Sequence, residues 1–430
     1  MTLSPISADN DKLHASPRFG KLRSPRPAFE WFVLFSESAA VPSAATKRLA
    51  MEDCLYDTSW LIHSLPTLTP SMLTLLAPPS TQQERSQQTS KLSTHAGAFG
   101  ESLSRGRPRY ESEEEKEKLG SLSQCRWTRL ERPAPEDGQT QQQHLSRKRL
   151  RDNGDDNDSS TSHGVLISLI YERTTYKFII YTTPDACSSK RSRTATSSNH
   201  TSSNQKSRTA ILLSKSSPSL LRSLTTYLSD TFALPDIHPL QLSSALIQKT
   251  LQDYLSTIYS SLSTARGSTQ SQFQDLFINI ISSVRLTIGF SAPVAPHLKS
   301  LDIAVAPYAV LKALPENGRF GIEHFMSTLA GYIWANTGLK IPVLDDRDGL
   351  VQSLGGEEAD VAKPDAPMKI SRISNAAYAI SCDHRIKFVS RPVHAVDDPD
   401  QPDENCVRRA NRELLVAIVE EARRQVKDDS

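Results

Sequence analysis

The chain has few cysteines, almost no net charge and no apolar run long enough to cross a bilayer, and each shortage removes a class of protein. Its five cysteines, Cys54, Cys125, Cys187, Cys382 and Cys406, are odd in number and contain no C-x-x-C pair. That pattern suits neither a disulfide framework nor a zinc knuckle, so reduced thiols in a nuclear or cytosolic compartment are expected. The 50 Lys and Arg stand against 48 Asp and Glu, a formal charge of +2 over 430 residues. The molecule is therefore not a polycation, and an acidic partner must be met by local clusters. The start of the chain shows no basic stretch leading into an apolar core, and Phe29 to Phe35 (FEWFVLF) is too short for a membrane span. No membrane partner is expected, and the sequons at Asn157 and Asn199 are read as unused on that footing.

Signatures of catalysis are missing as well. Gly289 to Pro293 (GFSAP) imitates a nucleophile elbow, but that turn needs glycine where Pro293 stands, and no helix follows. There is no G-x-x-x-x-G-K-[ST] loop to cradle phosphates, no G-x-G-x-x-G after a strand, and no H-E-x-x-H to set two histidines on a helix face. Among 11 dispersed histidines, only His384 lies close to a cysteine, Cys382, and no further ligand is within sequence reach, so His384 reads as a turn residue. Asp345, Asp346 and Asp348 (DDRDG) miss the spacing and the distal Glu of a calcium loop and read as a solvated acidic loop. No catalytic, cofactor-binding or metal-ligating residue is assigned. No cofactor and no small-molecule substrate are expected, and an enzyme without a known motif is the least favoured class.

What is present is a folded body broken by polar segments. Hydrophobic residues make up only 37%, 26 prolines outnumber 17 glycines, and Ser, Thr and Gln gather in blocks that cannot repay their ordering entropy. A folded portion of roughly 200 to 250 residues is expected, near the limit for one core. Residues 1–50 read as a disordered tail with Ser-Pro steps at Ser4, Ser16 and Ser24, candidate sites for proline-directed phosphorylation. Residues 51–135 form the N-terminal part of an α+β domain around a polar, disordered insert at 78–118, which ends in the charge run Glu111 to Lys118. Residues 136–162 are a disordered linker of mixed charge, 163–390 carry the main domain with a basic disordered insert at 184–207, and 391–430 hold an acidic linker and an amphipathic helix.

Local patterns fill in that body. Leu122, Trp127 and Leu130 suit a strand, and Gly164 to Tyr171 with Tyr176 to Thr182 form a β-branched, aromatic hairpin about a turn near Arg173. Thr209 to Leu213 is a further strand. Ser217 before Pro218 starts a helix with Leu220, Leu221, Leu224, Tyr227 and Leu228 on one face, and a second helix runs from Pro239 through Ile247, Leu251, Tyr254, Leu255, Ile258 and Leu262. Val284 to Phe290 and Leu301 to Val305 alternate with period two and are expected to pair antiparallel. A third helix spans about 321–336 and stops at Gly338. Lys369 to Cys382 and Arg385 to Val389 read as a closing hairpin, and a last helix from about Asn405 presents Val407, Leu414, Leu415, Ile418 and Ala422. Strand and helix do not alternate, so the expected fold is α+β, a mainly antiparallel sheet with helices on one face.

The strongest local charge sits in two basic clusters. Arg147, Lys148, Arg149 and Arg151 form one, and Lys190, Arg191 and Arg193, extended by Lys206 and Arg208, form the other. Both fit nuclear import and both fit DNA phosphate contact through counterion release, while the plain alternative is a solubilising loop.

Leu55 to Leu65 (LYDTSWLIHSL) resembles the opening of the fungal CENP-L family, subunits of the inner kinetochore. Gly120-Ser121-Leu122 ahead of Arg126-Trp127, the hairpin from Gly164 to Tyr181, Ala210 to Leu228, the helix from Leu240, and the run from Gly331 through Gly338 to Pro342 and on to Lys387-Phe388 are similar to that family in the same order. The first 50 residues, the insert around 139–207 and the helix after Asn405 have no counterpart in the pattern. The resemblance implies a curved sheet like the saddle of TATA-binding proteins and a non-catalytic scaffold in the nucleus, at the centromere and kinetochore. It also implies a heterodimer with a CENP-N-like subunit, contact with other subunits of the constitutive centromere-associated network, and contact with centromeric DNA or the CENP-A nucleosome. A stand-alone nuclear nucleic-acid-binding protein is the competing class, and the near-neutral charge weighs against it. An open sheet edge must be paired or covered. The closing hairpin is expected to supply that edge, with Tyr378, Ile380, Ile386 and Phe388 at the partner interface.

Overall fold

The computed structural model describes residues 54–79, 81–105, 119–130, 163–183, 209–235, 237–264, 268–290, 297–305, 325–341, 368–390 and 402–428. All belong to one compact unit, Arg48–Ser430. In chain order the described elements are β1 (Ser59–Leu65), α1 (Pro70–Leu76), α2 (Gln82–Arg105), β2 (Leu122–Arg129), β3 (His163–Tyr171), β4 (Thr175–Thr182), β5 (Ala210–Lys215), α3 (Pro218–Phe232) and β6 (His238–Pro239). There follow α4 (Ser244–Thr264), α5 (Ser268–Ser282), β7 (Arg285–Phe290), β8 (Ser300–Ala304), α6 (Phe325–Thr337), β9 (Met368–Ser374), β10 (Tyr378–Ser381), β11 (Arg385–Phe388) and α7 (Pro402–Asp428).

One open sheet of 11 strands organises the body, in the order β2-β3-β4-β5-β1-β11-β10-β9-β7-β8, with β6 pairing the far end of β1. Every pairing between these strands is antiparallel. Period-two alternation sends successive side chains of β5 into different cores. Ala210 and Leu212 pack with α1, α2 and α3 through Met72, Phe99, Leu224 and Phe232. Ile211 and Leu213 pack with α4, α5 and α7 through Leu251, Ile280, Leu415 and Ile418. The expected helical layer is therefore present, and a second one covers the other face over half the sheet. That is why β3, β4 and β5 read as nearly continuous apolar runs: they are buried on both sides.

Several local expectations appear as drawn. The Ser217 hydroxyl accepts from the Leu220 N–H at 3.4 Å with Pro218 in the first turn, and Gly338, at φ +70°, follows the last residue of α6. β7 and β8 pair in the expected sense. Val407, Leu414, Leu415, Ile418 and Ala422 of α7 are all buried.

Others change. The closing hairpin is three strands, because the Asn375 side chain accepts from the N–H groups of Ala377 and Tyr378, both at 2.9 Å, and breaks β9 from β10. The helix expected from Pro239 starts later, at Ser244. His238 and Pro239 pair with β1 instead, and the Ser243 hydroxyl caps the helix by accepting from Leu246 N–H at 3.1 Å. The insert expected at 78–118 contains the 24-residue helix α2, whose buried stripe is Gln88, Leu92, Ala96 and Phe99. Helix α5 has a weak signal in the sequence, because its polar first turns hide the buried Leu276, Phe277, Ile280 and Ile281.

Candidate functional site

The cross-strand register arranges the C-terminal half of the sheet in rows. Trp60, Ile386, Ile380, Ile373, Leu286 and Ile303 face one another across β1, β11, β10, β9, β7 and β8. They belong to the core that packs on α4, α5, α6 and α7. The flanking rows must point the other way. One runs Ser59, Lys387, Ala379, Ser374, Arg285, Ala304, and the next runs Leu61, Arg385, Ser381, Arg372, Thr287, Asp302. A third holds Lys369, Gly289 and Ser300. A register shift opposite Thr287 and Ile288 leaves Ser371 as an extra residue on β9, where its hydroxyl donates to Thr287 O at 3.0 Å.

The result is a floor of Ser, Thr, Ala and Gly, with Leu61 at its β1 border, from which long cationic side chains rise. Arg285, Lys369, Arg372 and Arg385 are exposed and Lys387 is half-buried. Against these five cations stand Asp302, which accepts from the Thr287 hydroxyl at 2.6 Å, and Asp383 in the β10–β11 turn. The described ion pairs lie elsewhere, on α2 and α7, so none of the five is neutralised by a carboxylate of the described residues. Six strands at about 4.8 Å give this face a width of roughly 24 Å. Guanidinium and ammonium groups standing on a flat polar floor can meet phosphate oxygens without the desolvation cost of a buried charge.

Two histidines border the same face. His63 of β1 is buried and His384 sits in the turn at φ +49°, their ring centroids 6.0 Å apart. Ile62 N–H donates to His384 O at 2.8 Å and fixes that turn against β1. Burial, and then the neighbouring His384, push the His63 imidazole down to about 4. His384 is lowered by burial and by Arg385. Both are therefore neutral at pH 7 and add no charge to the face. The Cys382 thiol donates to Ile370 O at 3.4 Å and is pushed up by burial. Among the described residues no three His, Cys, Asp or Glu side chains converge to hold a metal.

The residues expected at a partner edge are somewhere else. Tyr378, Ile380, Ile386 and Phe388 are at most 1% exposed, and β11 lies between β1 and β10 in mid-sheet. The correction has a simple cause: β1, from far upstream in the chain, pairs along the outside of the hairpin, and Asp57 N–H donates to Phe388 O at 2.8 Å. Among the described strands, β2 and β8 end the main path of the sheet. Arg147, Lys148, Arg149, Arg151, Lys190, Arg191, Arg193, Lys206 and Arg208 lie outside the described residues. Arg285, Lys369, Arg372, Arg385 and Lys387 were not singled out from sequence. Their signal was the alternation of each with a buried Ile, Leu or Phe on a short strand.

An open antiparallel sheet backed by helices, with a wet cationic face and free edges, is the build of a binding scaffold. The family match is specific: the chain belongs to the CENP-L family, the model for centromere protein L matching residues 54–423. The family is one of structural kinetochore proteins, so this is a kinetochore subunit serving chromosome segregation at the centromere. No curated protein matches the chain. The match takes in most of α7, the terminal helix that had no counterpart among the resembling motifs.

Proposed function

We propose that this chain is a non-catalytic scaffold subunit of the inner kinetochore that pairs with a CENP-N-like subunit and helps assemble the centromere-associated network on CENP-A chromatin. In that assembly the open sheet face lies against centromeric DNA, and the basic segments at 147–151 and 190–208 serve nuclear import. The observation that carries this reading is the set of five cations that have no carboxylate partner among the described residues, Arg285, Lys369, Arg372, Arg385 and Lys387, on a six-strand face built largely of Ser, Thr, Ala and Gly. Duplex DNA presents one negative charge per about 1.7 Å of axis, and phosphate binding on such a face would be independent of sequence.

The test is fluorescence anisotropy of a labelled duplex against the full chain at several salt concentrations. Replacing Arg285, Arg372 and Arg385 together by Ala should weaken binding on every sequence alike. The dependence of log K on log salt should become shallower by about 0.9 for each phosphate that is no longer neutralised. An unchanged slope would remove DNA from this face. Affinity purification of the tagged chain from its native cell should recover other centromere subunits, and their absence would count against the assembly.

A further inference from the structure

The opposite face of the sheet carries a second cationic row. Register pairs Arg126 of β2 with Ser168 of β3, Ser168 with Lys177 of β4, and Lys177 with Lys215 of β5. The adjoining row on one side is Thr128, Leu166, Ile179 and Leu213, the last three buried beneath α4 and α7. On the other side lie Gln124, Ile170 and Thr175. The cationic row thus emerges on the face where the helical layer ends. Arg126 and Lys215 are exposed and Lys177 is half-buried.

Lys177 and Lys215 are direct cross-strand neighbours, an arrangement that destabilises a sheet when both carry the same charge. Lys215 responds: burial and then the charge of Lys177 lower its affinity for its proton. No carboxylate of the described residues forms an ion pair with Arg126, Lys177 or Lys215. Glu172, two residues beyond Ile170, is engaged by the Ser121 hydroxyl.

We infer that the Arg126, Lys177 and Lys215 row is a docking site for an extended acidic segment of a partner protein. Its shape selects that class. Three inter-strand steps make the row about 14 Å long, and it is a single line. Helix α7 lies against β5 on this face and walls one side, so a rigid duplex cannot approach broadly as it can on the other face. An extended chain can lie along the line. One carboxylate would bridge Lys177 and Lys215, a second, a few residues away, would meet Arg126, and an apolar side chain between them would cover the half-buried Ile170.

Full-length protein is titrated against a fluorescein-labelled dodecapeptide of alternating Glu and Ser and, separately, against a labelled duplex. Lys177→Ser combined with Lys215→Ser should weaken the peptide about tenfold and leave the duplex unchanged. The Arg285, Arg372 and Arg385 triple variant should do the reverse, which keeps this result distinct from the DNA reading. Because like-charge repulsion is relieved, the double variant should melt at or above the wild-type temperature. If it does not fold, Lys215→Gln alone serves, with a smaller loss. Unaltered peptide affinity in a folded variant, or a loss confined to the duplex, overturns the proposal.

Discussion

Gly164 sits where no side chain fits. A Cβ there would stand 2.7 Å from Leu130 Cδ1 and 2.8 Å from Ile180 O. The leucine can turn aside, but the carbonyl belongs to β4 and is fixed by the sheet. Gly164→Ala should therefore destabilise the fold by about 2 kcal/mol, as overpacking of a tight site does, measured as a lower urea midpoint at unchanged slope. Gly331 in α6 offers the contrast, with nothing within 4 Å of its added Cβ. Gly331→Ala should raise stability by about 0.5 to 1 kcal/mol, because the helix then loses less backbone entropy on folding. His63 gives a pH dependence. In the unfolded chain it titrates near 6.5, in the folded chain near 4, so between those values the unfolded state holds more protons. Stability is then complete above about 6.5 and declines as pH falls towards 4. Unfolding free energies from urea titrations at pH 7 and pH 5 should differ by about 2 kcal/mol in wild type, and His63→Gln should shrink that difference. An equal decline in the variant would assign the effect to other groups.

Helix α2 shows what an element needs beyond its own sequence. Its composition is that of a solvated loop, and only Leu92, Ala96 and Phe99 with Gln88 form a buried stripe. Gln88 explains the docking. Its Nε2 donates to Leu75 O at 2.7 Å and to Ala77 O at 2.9 Å, with Thr74 O at 3.2 Å. These carbonyls lie at the end of α1, where the last turn has no helical partners. Gln88→Leu should leave them unpaired and cost about 2 kcal/mol, read as a drop in melting temperature and early proteolysis between α1 and β2. The sequence announces α3 through Ser217, Pro218 and a leucine stripe, whereas the reason for α2 lies in residues more than ten positions upstream. The cationic face was half legible in the same sense. Alternation in β7 marked Arg285 and Thr287 as wet, but nothing local says that β11 lies beside β1. That pairing turned an expected edge into mid-sheet, and the pairing of β9 with β7, distant in the chain, joined Lys387, Arg385 and Arg372 to Arg285.

For the whole molecule, the question is which end of the sheet receives a partner. At one end, β2 is blunted by the register shift between Leu122 and Gln124 and by α2 packed against it. At the other, β8 has no strand on its outer side among the described residues, and Leu298 just before it is 46% exposed. Phe290 N–H donates to Lys299 O at 3.1 Å and Val305 N–H to Val284 O at 3.2 Å. Antiparallel alternation then commits the backbone groups of Leu301 and Ile303 to β7 and turns those of Ser300, Asp302 and Ala304 outward. If the chain pairs as proposed, a strand from a CENP-N-like subunit added here would extend the sheet through those outward groups and cover Leu298. Asp302→Pro removes one outward N–H while sparing every bond to β7, a position where proline is tolerated in an edge strand. The variant chain should melt within a few degrees of Asp302→Ala, which also lacks the bond to Thr287. It should nevertheless fail to co-purify with the CENP-N homologue, while Asp302→Ala still does. Retention of the heterodimer by a folded Asp302→Pro chain would move the interface away from β8. The mirror substitution on β2, the other end of the strand path, would then be the next to examine.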